Sequence, residues 1–541
     1  MLPLLRLPLA PAALILIAAA FVLPGLGHDP WKTHDAVGIG VIHAMASGGE
    51  LLVPSVAGLP WLYDPPLYFW LATAFGKVFG VFLEFQHAAR LASGAVMLAA
   101  FYFAYRAARD WTEDAAMRRT AGSAAMLLVL GAIGLLIHSH EAVPELASLA
   151  ALCGALAALP WRERHPLPAG IGFGAALGLA ALSSTWVAPA ALGIAVAAAH
   201  FACPQWRGRG AGRFLGAALV VAVVLAASWP LVLYLRAPRA FMEWRVLAFS
   251  PEGLPAASLR YYLSTASWFT WPAWPLALWS AWSLRRRWND PRLFVPAVAV
   301  VATLLGLVFW GPIEDVALIP PLAPLALLAS HAVFTLRRGA AGALDWFGVL
   351  TFAVFAALIW LGYVALMLGL PPAVASNLAR IAPGYAARFS PLAIVFTAAL
   401  TCGWLYLIFF TPHAPLRSVA RWAAGIVLLW GTFAMLALPW VEYQRSYRHV
   451  ALELRAKLPA GGGCISGKAL GVSQAAALDY HGGIRTRPFD PLKSDACRLL
   501  LIQGGPKEEE FDVPTAGWRK LADVGRPGDR NERYRLYRRG K

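Results

Sequence analysis

The chain has 541 residues, 59% of them hydrophobic and only 14% charged, with a mean hydropathy of +0.59. A soluble domain carries roughly 25% charged residues, so most of this chain does not face water. That excludes a cytosolic globular enzyme, a disordered protein and a disulfide-stapled secreted domain. The 46 Lys and Arg against 29 Asp and Glu give a net +17, and in a polytopic membrane protein the placement of those charges matters more than their sum.

A helix needs about 20 mostly apolar residues to cross the hydrocarbon core. Such runs lie at 7–26, 87–105, 120–138, 143–160, 168–184, 187–203, 214–235, 269–284, 293–310, 317–336, 346–369, 391–411 and 422–440. They predict an α-helical polytopic membrane protein with about 13 transmembrane helices. With a cytoplasmic N-terminus, the inside connections hold Arg106, Arg109, Arg118 and Arg119, then Arg162 and Arg164, then Arg207, Arg209 and Arg213. Arg285, Arg286, Arg287 and Arg292, Arg337 with Arg338, and Arg417 with Arg421 complete the set. The short outside turns near 139–142, 184–187 and 311–316 hold no Lys or Arg. This alternation follows the positive-inside rule, so part of the positive charge is a topology signal and no nucleic-acid partner is expected. The first run, with Arg6 ahead of it, resembles a signal peptide but fits the alternation as an uncleaved span.

From about 441 the composition turns soluble, with 19 basic and 12 acidic residues in 442–541. The expected division is a transmembrane unit over 1–440 and a small α/β domain over 441–541, on the outside. Tyr443–Lys457 and Ser473–Tyr480 read as helices, Cys464–Leu470 and Arg498–Gln503 as strands, with later strands near 517–524 and 532–538. Cys464 and Cys497 each adjoin a strand; they either pair, as an oxidising compartment allows, or stay as two buried thiols. No cysteine spacing suggests a zinc site.

Three outside segments exceed simple turns: 27–86, 236–268 and 370–390. In the first, Ala36–Ala46 has helical spacing and is expected along the membrane surface. Pro54, Pro60, Pro65 and Pro66 enforce extended turns, and Leu67–Phe82 returns as an amphipathic interfacial helix. Polar groups gather there as His28, Asp29, Lys32, His34, Asp35 and Asp64. The next outside turn brings His138, His140, Glu141 and Glu145 to the mouth of two spans. Acids and histidines at a helix end near lipid are costly unless hydrated, paired or functional. A carboxylate there serves as general base toward a hydroxyl acceptor, and a His/Asp/Glu group can hold a divalent cation.

The run HDAVGIGVIHAMASGGELLVPSVAGLPWLYDPPLYFW resembles the first outside loop of the GT-C glycosyltransferases, in the aminoarabinose transferase and protein O-mannosyltransferase branch. That pattern is an acidic pair, a surface helix, a Gly-to-Pro turn, then an aromatic-acid-Lys-Pro-Pro turn and Tyr-Trp. Its elements here are His34-Asp35, Ala36–Ala46, Gly48–Pro54, Leu62–Pro66 and Phe69-Trp70. HAARLASGAVMLAAFYFAYRAAR at 87–109 and VALIPPLAPLALLASHAV at 316–333 resemble two later family segments.

The resemblance implies sugar transfer from a polyprenyl-phosphate donor to an envelope glycolipid, glycan or protein acceptor. The setting would be the periplasmic face of a bacterial inner membrane. Asp35 is the expected base, or orients the acceptor, although counting back from Met45 sets His34 opposite the first acid. Glu141 takes the place of a second-loop acid. His34, Tyr63 and Asp64 would line the substrate site, with Arg245, Arg260 and Tyr261 on the lipid phosphate, where Arg suits bidentate binding. His34, Asp64 and His140 are the candidate metal ligands, and a divalent metal is compatible with the sequence without being required by it. Two departures stand out: Tyr63-Asp64 replaces the family's Glu-Lys, and the 236–268 loop has no His. They leave two further readings, a lipid-binding relative without catalysis and a transporter of a lipid-linked substrate. No phosphate-loop motif is present, which argues against a nucleotide-driven pump.

Overall fold

Each apolar run forms a helix, as lipid requires of a backbone that must satisfy its own hydrogen bonds. In the computed structural model the described residues are 9–208, 210–251, 254–412, 414–459, 463–489, 497–505 and 517–540. Arg6, Arg209 and the first residues of the 7–26 run lie outside them. Among the described residues six helices are long and apolar enough to cross a membrane: Phe85–Trp111, Ala211–Arg236, Pro291–Trp310, Arg338–Leu368, Pro391–Phe410 and the composite Arg417–Lys457. Shorter apolar helices include Pro11–Val22, Pro166–Ala181, Val187–Ala202 and Leu322–Thr335. Helix length therefore does not by itself establish a count of thirteen crossings. Leu219, Val220, Val223 and Val224 on one long helix point outward and are exposed, as a lipid-facing surface requires.

The helix expected in the first loop is present and is more buried than a surface helix. Thr33–Ala46 is helical, but ten of its residues are buried. The reason is in its sequence: VGIGVI is apolar all round, and such a helix is buried. Its glycines set the spacing. A Cβ on Gly38 would fall 1.9 Å from the Ala142 carbonyl oxygen, and one on Gly40 would fall 2.9 Å from the Ala476 Cβ. The helix is thus clamped between the membrane helices and the C-terminal domain. The return helix Leu67–Phe79 is amphipathic as expected, with Tyr68, Phe69, Ala72 and Thr73 inward. A two-strand hairpin, β1 (Ser55–Val56) and β2 (Leu59–Pro60), closes the intervening turn.

The C-terminal sheet domain begins with helix Arg448–Lys457 and is built on β3 (Ile465–Lys468), β4 (Thr486–Pro488), β5 (Leu499–Gly504), β6 (Trp518–Val524) and β7 (Arg533–Arg539). The sheet order is β4-β3-β5-β7-β6. β3 runs parallel to β4 and β5, and β7 antiparallel to β5 and β6. Alternate residues divide the sheet: Leu499 and Leu501 pack against Val450, Leu454 and Leu478, while Leu500 and Ile502 form a second cluster with Tyr537. The expected Tyr443–Lys457 helix breaks in two at Ser446, and β4 is a strand the sequence reading missed. Cys464 and Cys497 precede the neighbouring strands β3 and β5 and are joined by a disulfide, with their Cα atoms 5.0 Å apart.

The two units meet at Asp29. Its carboxylate accepts from Gln86, from Ser446 at 2.8 Å and from Arg448 at 2.6 Å, and its backbone N–H donates to Glu442. Burial opposes ionisation of Asp29, but the Arg448, Gln86 and Ser446 donors hold its pKa down at about 2.

Candidate active site

The site is built on the first turn of the Thr33–Ala46 helix, where consecutive side chains point about 100° apart. Asp35 points into the bundle and is fully buried. Arg90 grips it with both arms of its guanidinium, Nε to Oδ1 at 3.0 Å and Nη2 to Oδ2 at 2.5 Å. The Ala142 N–H donates to Oδ1 at 2.8 Å. Arg90 itself is fully buried and also donates to the Leu26 and His28 carbonyls. Asp35 thus accepts three hydrogen bonds, and it lines neither cavity described below. In this arrangement it ties the first loop to the Phe85–Trp111 helix.

His34 points the other way, into two adjoining cavities. Its Nδ1 lies 3.7 Å from Glu314 and its Nε2 3.6 Å from Asp315. Burial works against an imidazolium here, but Asp315 and Glu314 outweigh it and raise the His34 pKa.

The first cavity, of about 540 Å³, is aromatic and acidic. Trp61, Tyr63, Trp186, Trp244 and Trp310 form its walls, and Asp64, Glu145 and Glu314 are its carboxyl groups. The Trp61-to-Pro66 turn places Asp64: the Trp61 indole N–H donates to Oδ2 at 3.0 Å, and Pro66 starts the next helix. Tyr63 is half-exposed and packs its ring 4.8 Å from that of Trp61. Glu145, buried at the head of Glu145–Ala158, accepts from the Ser184 hydroxyl at 3.2 Å. Burial, with the Glu145 carboxyl adding to it, raises Asp64 to about 8.

The second cavity, of about 550 Å³, shares Thr33 and His34 with the first and is polar. Glu141 lies here, fully buried, 2.9 Å from Lys32 Nζ and 2.7 Å from His138 Nδ1. Burial opposes its charge, yet His138 and Lys32 hold its pKa well below the usual carboxylate range. His138 Nε2 reaches Asp315 at 3.3 Å, and His138 and His34 together depress Asp315. Glu141 is thus a fixed anion that anchors two cations rather than a free acid.

The remaining expected residues do not converge. His140 is fully buried, pairs its Nε2 with the Phe21 carbonyl at 2.8 Å and stacks on Trp430. It lines neither cavity, so the proposed ligands His34, Asp64 and His140 do not gather. Among the described residues no group of three or more His, Cys, Asp or Glu could hold a metal ion. Loop 236–268 forms helices Pro238–Phe249 and Pro255–Phe269. Trp244, Leu247 and Ala248 of the former face the first cavity, which turns Arg245 outward and exposed. In the latter, Ser258, Tyr262, Thr265 and Phe269 form the buried stripe, leaving Arg260 exposed and Tyr261 at its edge. None of these three lines either cavity.

Sequence reasoning missed Glu314, Asp315 and the tryptophan wall. The adjacent acids Glu314-Asp315 at the mouth of two spans were the available signal, whereas no local pattern brings Trp186, Trp244 and Trp310 together.

No family model and no curated protein matches the chain. Solved structures do. The crystal structure of ArnT from Cupriavidus metallidurans bound to undecaprenyl phosphate aligns at a TM-score of 0.71 and 16% identity, covering 97% of both chains. Its apo state aligns at 0.68 and 17%, over 97% of this chain and 96% of that one. The fold is that of ArnT. Archaeal AglB from Archaeoglobus fulgidus, an oligosaccharyltransferase in complex with an inhibitory peptide and a dolichol-phosphate, aligns at 0.47 and 10%, over 91% and 69% of the two chains. The fold that the first loop's resemblance implies is therefore the one observed. The ArnT likeness covers the membrane helices and the C-terminal domain together.

Proposed function

We propose that this chain is a multi-pass membrane glycosyltransferase that moves a sugar from a polyprenyl-phosphate donor to an envelope glycolipid, glycan or protein. We place the reaction at the periplasmic face of a bacterial inner membrane. The observation that carries the reading is the tryptophan-walled, carboxyl-lined cavity at the mouth of an ArnT fold. Aromatic faces suit the apolar face of a sugar ring, and carboxyl groups suit its hydroxyls. ArnT, captured with undecaprenyl phosphate, supports the donor class.

In this reading Asp64 is the base. A carboxyl group with a pKa near 8 is well matched to general-base work close to neutral pH. The acceptor oxygen bonds to the anomeric carbon as its proton passes to Asp64. The bond from that carbon to the phosphate oxygen breaks, and the phosphate leaves with the electron pair. The His34 imidazolium, at the junction of the cavities, offsets the charge of the departing phosphate. No step runs through a metal, because the candidate ligands do not converge on one point.

The replacement of the family's Glu-Lys by Tyr63-Asp64 favours one rival, a lipid-binding relative without catalysis. Native mass spectrometry together with a transfer assay separates the two. The transferase should co-purify with polyprenyl phosphate and turn over a polyprenyl-phosphate sugar, with turnover lost in Asp64→Asn. Lipid retention without turnover would leave the non-catalytic reading, and flux of the intact donor across vesicles would point to transport.

A further inference from the structure

The second cavity has a wall from each part of the molecule. Lys32, Trp31 and His138 come from the membrane unit, and Gln474, Arg526 and Glu532 from the C-terminal domain. Its acids are all engaged. Glu141 holds Lys32 and His138, Asp315 holds His34 and His138, and Glu532 receives Arg526 at 2.7 Å and Gln503 at 2.6 Å. Its donors are not. Trp31 Nε1 and Arg526 Nε are buried without a hydrogen-bond partner. Arg445 lines the cavity exposed, and no side-chain partner for it is seen among the described residues. A buried donor left unmet costs about 1–3 kcal/mol, so the open valence of this space is for an acceptor-rich, anionic group. Arg526 is also held in place, paired with Asp529 at 2.5 Å and stacked over Tyr447 at 4.8 Å. A guanidinium fixed in this way is preorganised for bidentate phosphate binding.

We propose that this cavity is a phosphate-binding subsite, shared between the membrane unit and the C-terminal domain, that takes a phosphomonoester or phosphodiester of the substrate. It adjoins the sugar cavity through Thr33 and His34, and its assignment to a substrate rests on the transferase reading. The phosphate has two possible sources, the donor's own or one borne by the acceptor. In either case the C-terminal domain is part of the site rather than a cover over it.

The test uses the full chain in lipid nanodiscs, with inorganic pyrophosphate as the soluble probe and undecaprenyl phosphate as the lipid probe. Arg526→Gln should weaken pyrophosphate binding about tenfold, the scale of one charge-assisted hydrogen bond. Gln474→Glu, which adds a negative charge and keeps every cation, should weaken it as well and decides the matter if Arg526→Gln misfolds. Retention of undecaprenyl phosphate in both variants assigns the subsite to the acceptor, and its loss alongside pyrophosphate assigns it to the donor. Unchanged pyrophosphate affinity in both variants, or none in the wild type, overturns the subsite. Arg526-dependent pyrophosphate binding in a wild type that holds no undecaprenyl phosphate and transfers no sugar keeps the anion site and overturns the transferase.

Discussion

His34 and Asp35 are neighbours in the chain and opposites in the structure. Asp35 is sealed against Arg90, with neither group exposed to water. His34 stands between two cavities, loosely held by two acids more than 3.5 Å away. A buried charge must be paired or its desolvation goes uncompensated, and Asp35 meets that demand with three accepted hydrogen bonds, two of them from Arg90. A group at a cavity wall can keep its pairing loose and stay free to meet a ligand. The contrast shows why an acid beside a histidine is a poor guide to which of the two does chemistry: one helical step decides it.

The contrast can be broken most sharply at Asp35. Asp35→Asn leaves Arg90 as an uncompensated buried cation and should cost about 3–5 kcal/mol, read as lost expression or a markedly lower melting temperature. A variant that melts like the wild type but transfers no sugar would restore Asp35 as the base. On the cavity side, Asp64→Asn should lower turnover by about 10²–10⁴ while the fold is kept. Wild-type turnover should rise with pH up to about 8 as Asp64 ionises. Stability runs the opposite way. The folded carboxyl keeps its proton up to about 8 while the unfolded one loses it near 3.8, so the folded state binds more protons between those values. Stability should therefore fall as pH rises through that window, and Asp64→Asn should flatten the slope.

Asp29→Asn should act on the seat of the C-terminal domain. Arg448 is 45% exposed, so solvent screening reduces the loss to about 1–2 kcal/mol, seen as earlier proteolysis at the 442–448 connection. Because the folded Asp29 pKa is lowered from 3.8 to about 2, its contribution is present above the higher value. It should be lost as pH falls through the lower one. The smallest effect belongs to Arg245→Ala and Arg260→Ala. Both are exposed and outside the cavities, so stability should move by less than about 0.5 kcal/mol and undecaprenyl phosphate should still be retained. Loss of that lipid in Arg260→Ala would return the residue to the donor site.

What could be read from the chain followed from local pattern. Apolar runs locate the helices because lipid leaves the backbone no other choice, and β5 shows as a short apolar stretch beside Cys497. Local sequence places His34, Tyr63 and Asp64 at the cavities, Tyr63 and Asp64 in the turn bounded by Pro60 and Pro65 and His34 in the first turn of its helix. The placements that could not be read are of a different kind. Asp35 is decided by Arg90, and Arg260 by which stripe of its helix is buried. The Trp186, Trp244 and Trp310 wall depends on how three separate helices stand together. A single sequence does not encode such placements in any short window.

The contacts that clamp the first loop also set an order of assembly. Asp29 meets Arg448 across 419 residues of chain, and Gly40 rests against Ala476. During synthesis the amino-terminal half of this joint is made long before its partner. Contacts so far apart in sequence form late because chain closure must come first. Until the last hundred residues have been made and folded, the second cavity lacks one wall. A chain stalled or truncated before β3 would therefore present an inserted helical bundle with an unfinished site, which gives the cell a physical distinction between a nascent protein and a competent one.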